Sequence, residues 1–345
     1  MITCDMTTLI NALPLPIMAV GEDERVRAVN APLVAMLGPD LLGKHHVAAL
    51  RQPAVLDAIM MARQGGAPTT AQYLGRDGDR DTTYRVVAAL AGRDVVVSFE
   101  DQTAAEYAGQ MRRDFVANVS HELRTPLTAL LGFIETLGGA ARNDAAARDR
   151  FLEIMTNEAN RMTRLVDDLL SLSRVEDDER VRPRENVNIG DVLASVIKGL
   201  EPQAAAADVT VTLDRPTQQV TLPGDTGQLV QVFTNLVENA IKYGASGGRV
   251  VVRLSPAANQ PRLRSEGVQI EVIDHGEGIS AHHIPRLTER FYRVDSHRSR
   301  AVGGTGLGLA IVKHIINRHR GRISIESIVG QGTTVRVLLP IESKA

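Results

Sequence analysis

Phe115-Val116-Ala117-Asn118-Val119-Ser120-His121-Glu122-Leu123-Arg124-Thr125-Pro126-Leu127 is the stretch that decides the reading of this chain. Phe115, Val119, Leu123 and Leu127 recur at four-residue steps, and Leu130, Ile134 and Leu137 continue the row at steps of three and four. That recurrence is one apolar face of a helix. His121 lies between Val119 and Leu123, near the edge of this face. Imidazole is the side chain best able to act as a neutral nucleophile near pH 7. If one ring nitrogen takes a phosphoryl group, the other must hold the proton, and Glu122 is the adjacent carboxylate that can accept that N–H. Arg124 and Thr125 follow at i+3 and i+4, on roughly the same face. An Arg can balance phosphate charge, and a Thr hydroxyl can hold a water for hydrolysis. Pro126 cannot donate its amide to the Glu122 carbonyl and its ring clashes there, at a cost of about 3 kcal/mol or more. The sequence therefore predicts a helix that bends one turn beyond His121. A His beside a helix stripe, taken alone, is a hydrogen-bonded structural residue; the downstream half of the chain overturns that reading.

Outward from this helix, Gly138-Gly139 breaks the run, and a second row follows: Phe151, Ile154, Met155, Met162, Leu165, Leu169 and Leu172. Two amphipathic helices with a short connection make a helical hairpin over residues 104–180. A lone hairpin cannot bury both stripes, whereas two hairpins paired as a four-helix bundle can, so a homodimer is expected. Upstream, residues 1–103 alternate turn signals with strand-like runs at 17–20, 84–87 and 95–99 and helical stretches around 30–37 and 53–64, which reads as a small α+β domain. Downstream, the charged stretch Asp177 to Arg184 reads as a linker. Residues 181–345 then alternate helices (191–206, 225–243, 306–319) with strands (209–213, 249–254, 268–273, 322–326, 333–339), a second α/β-type domain.

Three motifs in this last domain suit a nucleotide. Asn235 and Asn239 are i and i+4 on a helix pattern and share a face; amide oxygens are hard ligands suited to Mg²⁺. Lys242, followed by Tyr243, is close enough to Asn239 to reach phosphate. Asp274-His275-Gly276-Glu277-Gly278 follows the strand-like run 268–273. A carboxylate at a strand end can accept a hydrogen bond from the amino group of adenine, and glycines let backbone approach the base. Gly303-Gly304-Thr305-Gly306-Leu307-Gly308-Leu309 opens a helix, and free N–H groups at a helix N-terminus favour phosphate. Gly330-Gln331-Gly332-Thr333 lies between the last two strands and reads either as a plain hairpin turn or as part of the site. Arg290, Arg293, Arg298 and Arg300 precede the glycine loop and together can neutralise triphosphate charge.

Composition narrows the classes. The 345 residues exceed one typical core and point to two or three domains. Hydrophobic residues at 43% and charged residues at 23% are an ordinary globular balance. Aromatics are 3% with no Trp, so a base-stacking surface is not expected. The net charge of -2 leaves no broad basic footprint, so no nucleic-acid partner is expected. The one cysteine, Cys4, permits no internal disulfide and fits a reducing compartment. No apolar run reaches the roughly 20 residues a bilayer requires. The N-terminus is apolar only from Leu9, is interrupted by Pro14 and Pro16, and lacks a basic n-region. The expectation is a cytoplasmic protein that senses any outside signal through a partner.

Taken in order, these motifs resemble those of two-component sensor histidine kinases over roughly residues 110–341. His121 to Pro126 looks like the phosphoacceptor box; Asn235 to Tyr243, Asp274 to Gly278, Arg290 to Arg293 and Gly304 to Gly308 look like the asparagine, first-glycine, phenylalanine and second-glycine boxes. The resemblance implies a multidomain chain. Its parts would be a PAS-like α+β sensor domain, a two-helix hairpin that dimerises into a four-helix bundle, and an α/β sandwich ATP-binding domain of the gyrase, Hsp90, histidine kinase and MutL type. It implies ATP and Mg²⁺ as cofactors. His121 would be the phosphorylated residue, with Glu122, Arg124 and Thr125 beside it, and Thr125 would serve dephosphorylation of the regulator. The ATP-binding set would be Asn235, Asn239, Lys242, Tyr243, Asp274, Gly276, Gly278, Arg290, Gly304, Thr305, Gly306, Leu307, Gly308 and Thr333, with Asn239 on the metal and Val294 to Gly303 as a lid. Ile284 to Asp295 and the glycine loop look most like phosphate-regulon sensor kinases. This implies a cytoplasmic response regulator whose receiver-domain aspartate accepts the phosphoryl group, and input from a membrane transporter-associated signalling complex. That subfamily usually carries N-terminal membrane helices, and this sequence shows none, which leaves open a relative that answers another stimulus. A pseudokinase scaffold and another ATPase of the superfamily are competing readings; the complete motif set argues against the first and the His121 helix against the second. Gly21 to Asn30 followed by Leu37-Gly38 resembles a PAS opening. His45 and His46 read as surface or cap residues, and no cofactor is assigned there.

Overall fold

The computed structural model describes residues 6–78, 80–139, 141–177, 181–260, 265–294 and 304–341. Cys4, Arg298, Arg300, Gly303 and most of the expected lid lie outside the described residues, as do residues 178–180 of the expected linker. The chain divides into two compact units, residues 1–116 and 117–345.

The first unit opens with helix α1 (Met6–Asn11), strands β1 (Ile17–Val20) and β2 (Val26–Val29), and helices α2 (Ala31–Leu37), α3 (His46–Leu50) and α4 (Pro53–Gly65). Strands β3 (Thr69–Asp77), β4 (Arg80–Ala91) and β5 (Asp94–Asp101) follow. Among the described residues the five strands form one antiparallel sheet in the order β2-β1-β5-β4-β3. The alternation of β5 explains its place: Val95, Val97 and Phe99 turn inward and are fully buried, as period two requires. They pack with Met18, Leu33, Val55 and Ile59 as the core. Asn30 is buried with every polar atom used. Its Oδ1 accepts the Ile17 and Leu33 amides at 2.9 and 3.2 Å, capping α2, and its Nδ2 donates to the Leu15 carbonyl at 2.6 Å.

Helix α5 (Thr103–Gly138) carries residues of both units, and α6 (Ala145–Asp177) completes the hairpin in the second. The Asp144 side chain accepts the Ala147 amide at 2.9 Å and so starts α6. Phe133 and Phe151 pack across the hairpin with ring centroids 5.2 Å apart. Pro126 does not end α5. The Thr125 and Thr128 hydroxyls donate to the carbonyls of His121 and Arg124 at 3.1 and 2.9 Å, back-bonds of the kind that bend a helix slightly. Leu127, Leu131, Ile134, Leu152 and Leu170 are each about half exposed on a single chain.

The remainder of the second unit contains β6 (Glu185–Asn188), α7 (Ile189–Ala206), β7 (Thr210–Asp214), β8 (Thr221–Gly224), α8 (Thr226–Gly244), β9 (Arg249–Gln260), β10 (Ser265–Asp274), α9 (Gly308–Arg318), β11 (Arg322–Ile328) and β12 (Gly332–Pro340). The main sheet runs β11-β12-β10-β9-β7, with only the β7–β9 pair parallel among the described residues. Helices α7, α8 and α9 pack together and onto it. Where these elements meet, Phe233, Leu229 and Val237 of α8, Ile311 and Ile315 of α9 and Val252 and Ile270 of the sheet are all at zero exposure. Each contributes about 1.5–3 kcal/mol by leaving water. The β6–β8 pair escaped the sequence reading because Glu-Asn-Val-Asn and Thr-Leu-Pro-Gly are too short and polar to show a period. α7 and α8 begin where Asn188 and Asp225 cap them. α9 starts at Gly308, not 306, because Gly306 sits at φ +74°.

His319, the last cap of α9, is 1% exposed. Its Nε2 accepts the Asp225 amide at 3.0 Å and its Nδ1 donates to the Ile315 carbonyl at 2.8 Å, which assigns the neutral Nδ1–H tautomer. Burial lowers its pKa below the ordinary 6.5, against the opposing pull of the Ile315 carbonyl and Asp225. The unfolded chain then binds the proton more readily, so this stabilisation is complete above pH 6.5 and is lost as pH falls through the folded value. Chemical denaturation of the wild type between pH 7.5 and 5.5 should show stability falling with acid. His319→Gln, which keeps an acceptor without a titrating group, should flatten that slope; an unchanged slope rejects the assignment.

Candidate functional site

Helix α8 lines the candidate nucleotide site. Asn235 and Asn239 lie half-buried along it, and Tyr243, 47% exposed, stands near its end. Eight residues of helix separate Asn235 from Tyr243 by about 12 Å, the scale of an extended nucleotide. At the Tyr243 end, Asp274 closes β10. Its Oδ1 accepts the amides of Gly276 at 2.9 Å and Thr333 at 3.2 Å, while Oδ2 has no hydrogen bond among the described residues. Burial raises the Asp274 pKa above its ordinary value, with the Gly276 and Thr333 amides and His275 pulling it back.

The glycines here serve the fold's own backbone. A Cβ on Gly276 would sit 2.4 Å from the Tyr243 carbonyl, and one on Gly278, at φ +70°, 2.1 Å from the Ile328 carbonyl. Gly330-Gln331-Gly332 is more than a hairpin turn. The Gly330 amide donates to the Glu277 carbonyl at 2.7 Å, and a Cβ on Gly332 would meet the Asp274 carbonyl at 2.1 Å. The Asp274 loop, the last hairpin and the end of α8 thus interlock, with Thr333 in register opposite Asp274.

At the other end, Gly308 leaves only 3.4 Å between a Cβ and the Asn235 Oδ1, and the Asn235 Nδ2 is buried without a hydrogen-bond partner among the described residues. The Asn239 amide makes no hydrogen bond to the described residues, and one neutral oxygen suits Mg²⁺, which keeps waters and phosphate oxygens. Lys242 Nζ is 3.3 Å from Glu238 on its own helix. Gly304, Thr305 and Gly306 form the approach to α9. Leu307 is fully buried, so within this loop its backbone is the part that can face a nucleotide. Gly306 accepts the Phe291 amide at 2.9 Å, tying the two loops.

His121 is exposed on α5 and Glu122 half-buried. The structure does not pair them as expected. Glu122 Oε2 accepts from Arg161 of α6 at 2.8 Å and lies 4.0 Å from Arg293, because successive helix positions do not face each other. Arg124 is exposed, and Thr125 spends its hydroxyl hydrogen on the His121 carbonyl. Two expected nucleotide contacts are likewise held by α6. Thr305 donates to Asp168 at 2.7 Å, and Arg290 pairs with Glu176. Burial raises the Asp168 pKa, with Thr305 opposing. Arg161, Asp168 and Glu176 were not singled out in the sequence. The signal was present: Arg161, Leu165, Asp168, Leu172 and Glu176 recur at steps of four, three, four and four, partly buried charged residues interleaved with the buried Leu165 and Leu172.

Comparison with known proteins finds two family domains along the chain. Residues 111–178 match the His Kinase A (phospho-acceptor) domain, and residues 224–343 the histidine kinase-, DNA gyrase B- and HSP90-like ATPase. The phosphate regulon sensor protein PhoR of Pseudomonas aeruginosa is 40% identical over 248 residues, 72% of this chain and 54% of that protein. The sensor protein kinase WalK of Staphylococcus saprophyticus is 34% identical over 331 residues, 94% of this chain and 53% of that protein. The chain therefore spans about half the length of these curated relatives. The solved histidine kinase ThkA, in complex with response regulator protein TrrA, shares the fold with a TM-score of 0.54 at 20% identity, over 96% of each chain. Among the described residues no helix is long and apolar enough to cross a membrane.

Proposed function

The chain belongs to the two-component sensor histidine kinases, and we propose that it phosphorylates His121 from ATP and passes the phosphoryl group to a receiver-domain aspartate of a response regulator. The observation that carries this reading is the approach of Arg293, from the loop ahead of the glycine motif, to within 4.0 Å of Glu122, the residue next to His121. It supports a nucleotide domain that can deliver a γ-phosphate to this helix.

In the step proposed, a lone pair on one imidazole nitrogen of His121 attacks the γ-phosphorus. The bond to the ADP oxygen breaks, and the other ring nitrogen gives up its proton. Asp274 binds the adenine amino group. Asn235, Lys242, Tyr243, Thr333 and the backbone from Gly304 to Gly308 hold the nucleotide, with Gly276 keeping the Asp274 loop against α8 and Gly278 keeping it against the β11–β12 hairpin. Asn239 would hold Mg²⁺, which supplies charge neutralisation at the phosphates. Positioning and charge account for catalysis in phosphoryl transfer generally. Arg290 and Thr305 act once they leave Glu176 and Asp168, and Glu122 receives the His121 proton once it leaves Arg161.

The domains on this reading are a sensor domain (1–103), a dimerisation and phosphotransfer hairpin (104–180) and an ATP-binding domain (181–345). The strand order β2-β1-β5-β4-β3 supports a PAS-like sensor, and the half-exposed leucines of the hairpin support a homodimeric four-helix bundle. The 40% identity to PhoR favours phosphate-starvation signalling, with a transporter-associated complex as input partner. The match to WalK, which extends over 94% of this chain, favours a second reading in which the stimulus is another.

Time-resolved transfer of label from the phosphorylated protein to a panel of response regulators tests both. Preferential transfer to a phosphate-regulon regulator supports the first reading, and preference for a different regulator supports the second. Thr125→Ala should leave autophosphorylation unchanged and slow dephosphorylation of that regulator by about tenfold or more. Equal loss of both activities refutes the role given to Thr125.

A further inference from the structure

We propose that Glu24, His45 and His46 form a binding site for a divalent transition-metal ion, Zn²⁺ in particular, in the N-terminal unit. This goes beyond the kinase reading and does not depend on it. One ligand atom from each of the three side chains lies within 4.8 Å of the other two. His45 Nε2 is 2.9 Å from Glu24 Oε2, and the two imidazole rings stack at 4.9 Å. Two imidazoles and a carboxylate are the donor set of many three-ligand zinc sites, whose fourth position takes water.

The frame under these ligands is tightly built. The Val26 amide donates to the Lys44 carbonyl, the Gly43 amide to the Val26 carbonyl and the His46 amide to the Glu24 carbonyl, at 2.9, 2.8 and 3.0 Å. The β1–β2 turn and the segment entering α3 are thereby zipped together. His46 is 7% exposed, and its Nδ1 donates to the Glu24 carbonyl at 2.9 Å. A backbone carbonyl orienting a histidine ring is the usual support for a metal-binding imidazole. Glu24 holds this place with a left-handed backbone, φ 61°, which a non-glycine residue adopts only against strain.

The remaining adjustment falls on His45 and Glu24, since the near-parallel imidazole planes, 19° apart, need the His45 ring to rotate before both point at one ion. Zinc bonds of about 2.0–2.1 Å put tetrahedral ligands about 3.4 Å apart, so the 2.9 Å His45–Glu24 contact opens and the wider ones close. His45 and Glu24 are about half exposed and can turn. His45 must move its Nε2 hydrogen to Nδ1, which gives up the 2.9 Å hydrogen bond to Glu24 and the long 3.4 Å contact with the Val47 amide.

Calorimetric titration of the chelator-stripped full chain with ZnCl₂ tests the site. One Zn²⁺ per chain should bind with Kd below about 10 µM, and Co²⁺ should give the visible absorption of nitrogen–oxygen ligation. Glu24→Gln and His45→Ala, both at exposed positions, should each weaken binding by about 30-fold or more. The His282→Ala/His283→Ala variant, which removes a different histidine pair, should bind like wild type. Wild-type binding weaker than this limit overturns the proposal. So does binding that survives both Glu24→Gln and His45→Ala, or that disappears with the His282/His283 pair.

Discussion

His121→Gln will abolish acid-labile, base-stable labelling from γ-labelled ATP, a loss of at least about 1000-fold, while nucleotide binding remains at the wild-type level. Gln matches the size and polarity of His but has no nucleophilic lone pair on nitrogen, since its amide nitrogen is delocalised into the carbonyl. The product bond identifies the chemistry: a phosphoramidate hydrolyses in acid and survives base, whereas a phosphoserine or phosphothreonine ester does the reverse. Folding should not confuse the result. His121 is exposed, and exposed substitutions away from special contacts usually shift stability by under about 0.5 kcal/mol. The buried row on α6 and the Arg161–Glu122 pair, 2.8 Å long, are untouched. Persistent acid-labile label in this variant would end the central proposal.

Asp274→Asn should cost at least about 100-fold in ATP affinity, about 2.7 kcal/mol, with the thermal midpoint nearly unchanged. The two oxygens of Asp274 divide the work. Oδ1 accepts the Gly276 and Thr333 amides and holds the interlocked loops. Asn retains that acceptor and so retains the loop. Oδ2, which has no hydrogen bond among the described residues, is the acceptor for the adenine amino group. Asn replaces it with an NH₂ that confronts another donor, leaving both unsatisfied in a half-buried site. Affinity within about threefold of wild type, measured by titration with an ATP analogue, would remove Asp274 from the adenine site. A large fall in thermal stability would show instead that the orientation of the amide is wrong and that the loop has been lost.

The two substitutions probe residues of different legibility. The His121 helix could be read from period alone, because an amphipathic stripe is a local property repeated over several turns. Asp274 was marked by its place between a strand run and a Gly-x-Gly, but the reason for those glycines was not. They were expected to admit a base; they also admit the Tyr243 and Ile328 carbonyls, more than 30 residues away in either direction. Leu307 shows a division that spacing does not reveal: it lies within the glycine loop, but its apolar side chain is core. The strand pair β6–β8 was invisible, because each member becomes a strand only by meeting the other.

What the sequence determined by itself is the inventory and its order: a nucleophile helix, a second amphipathic helix, then asparagines, an acidic strand end and a glycine loop in one α/β domain. Each depends on neighbours a few residues apart, which is the range that helix period, caps and turn chemistry control. Only the tertiary structure decided which charged groups meet. Glu122 was expected to serve His121 and instead holds Arg161, 39 residues on, while Thr305 reaches Asp168 across 137 positions. The first pairing follows from the hairpin folding α6 back along α5, the second from packing α9 against α6, and no local spacing encodes a contact between elements brought together only by tertiary packing.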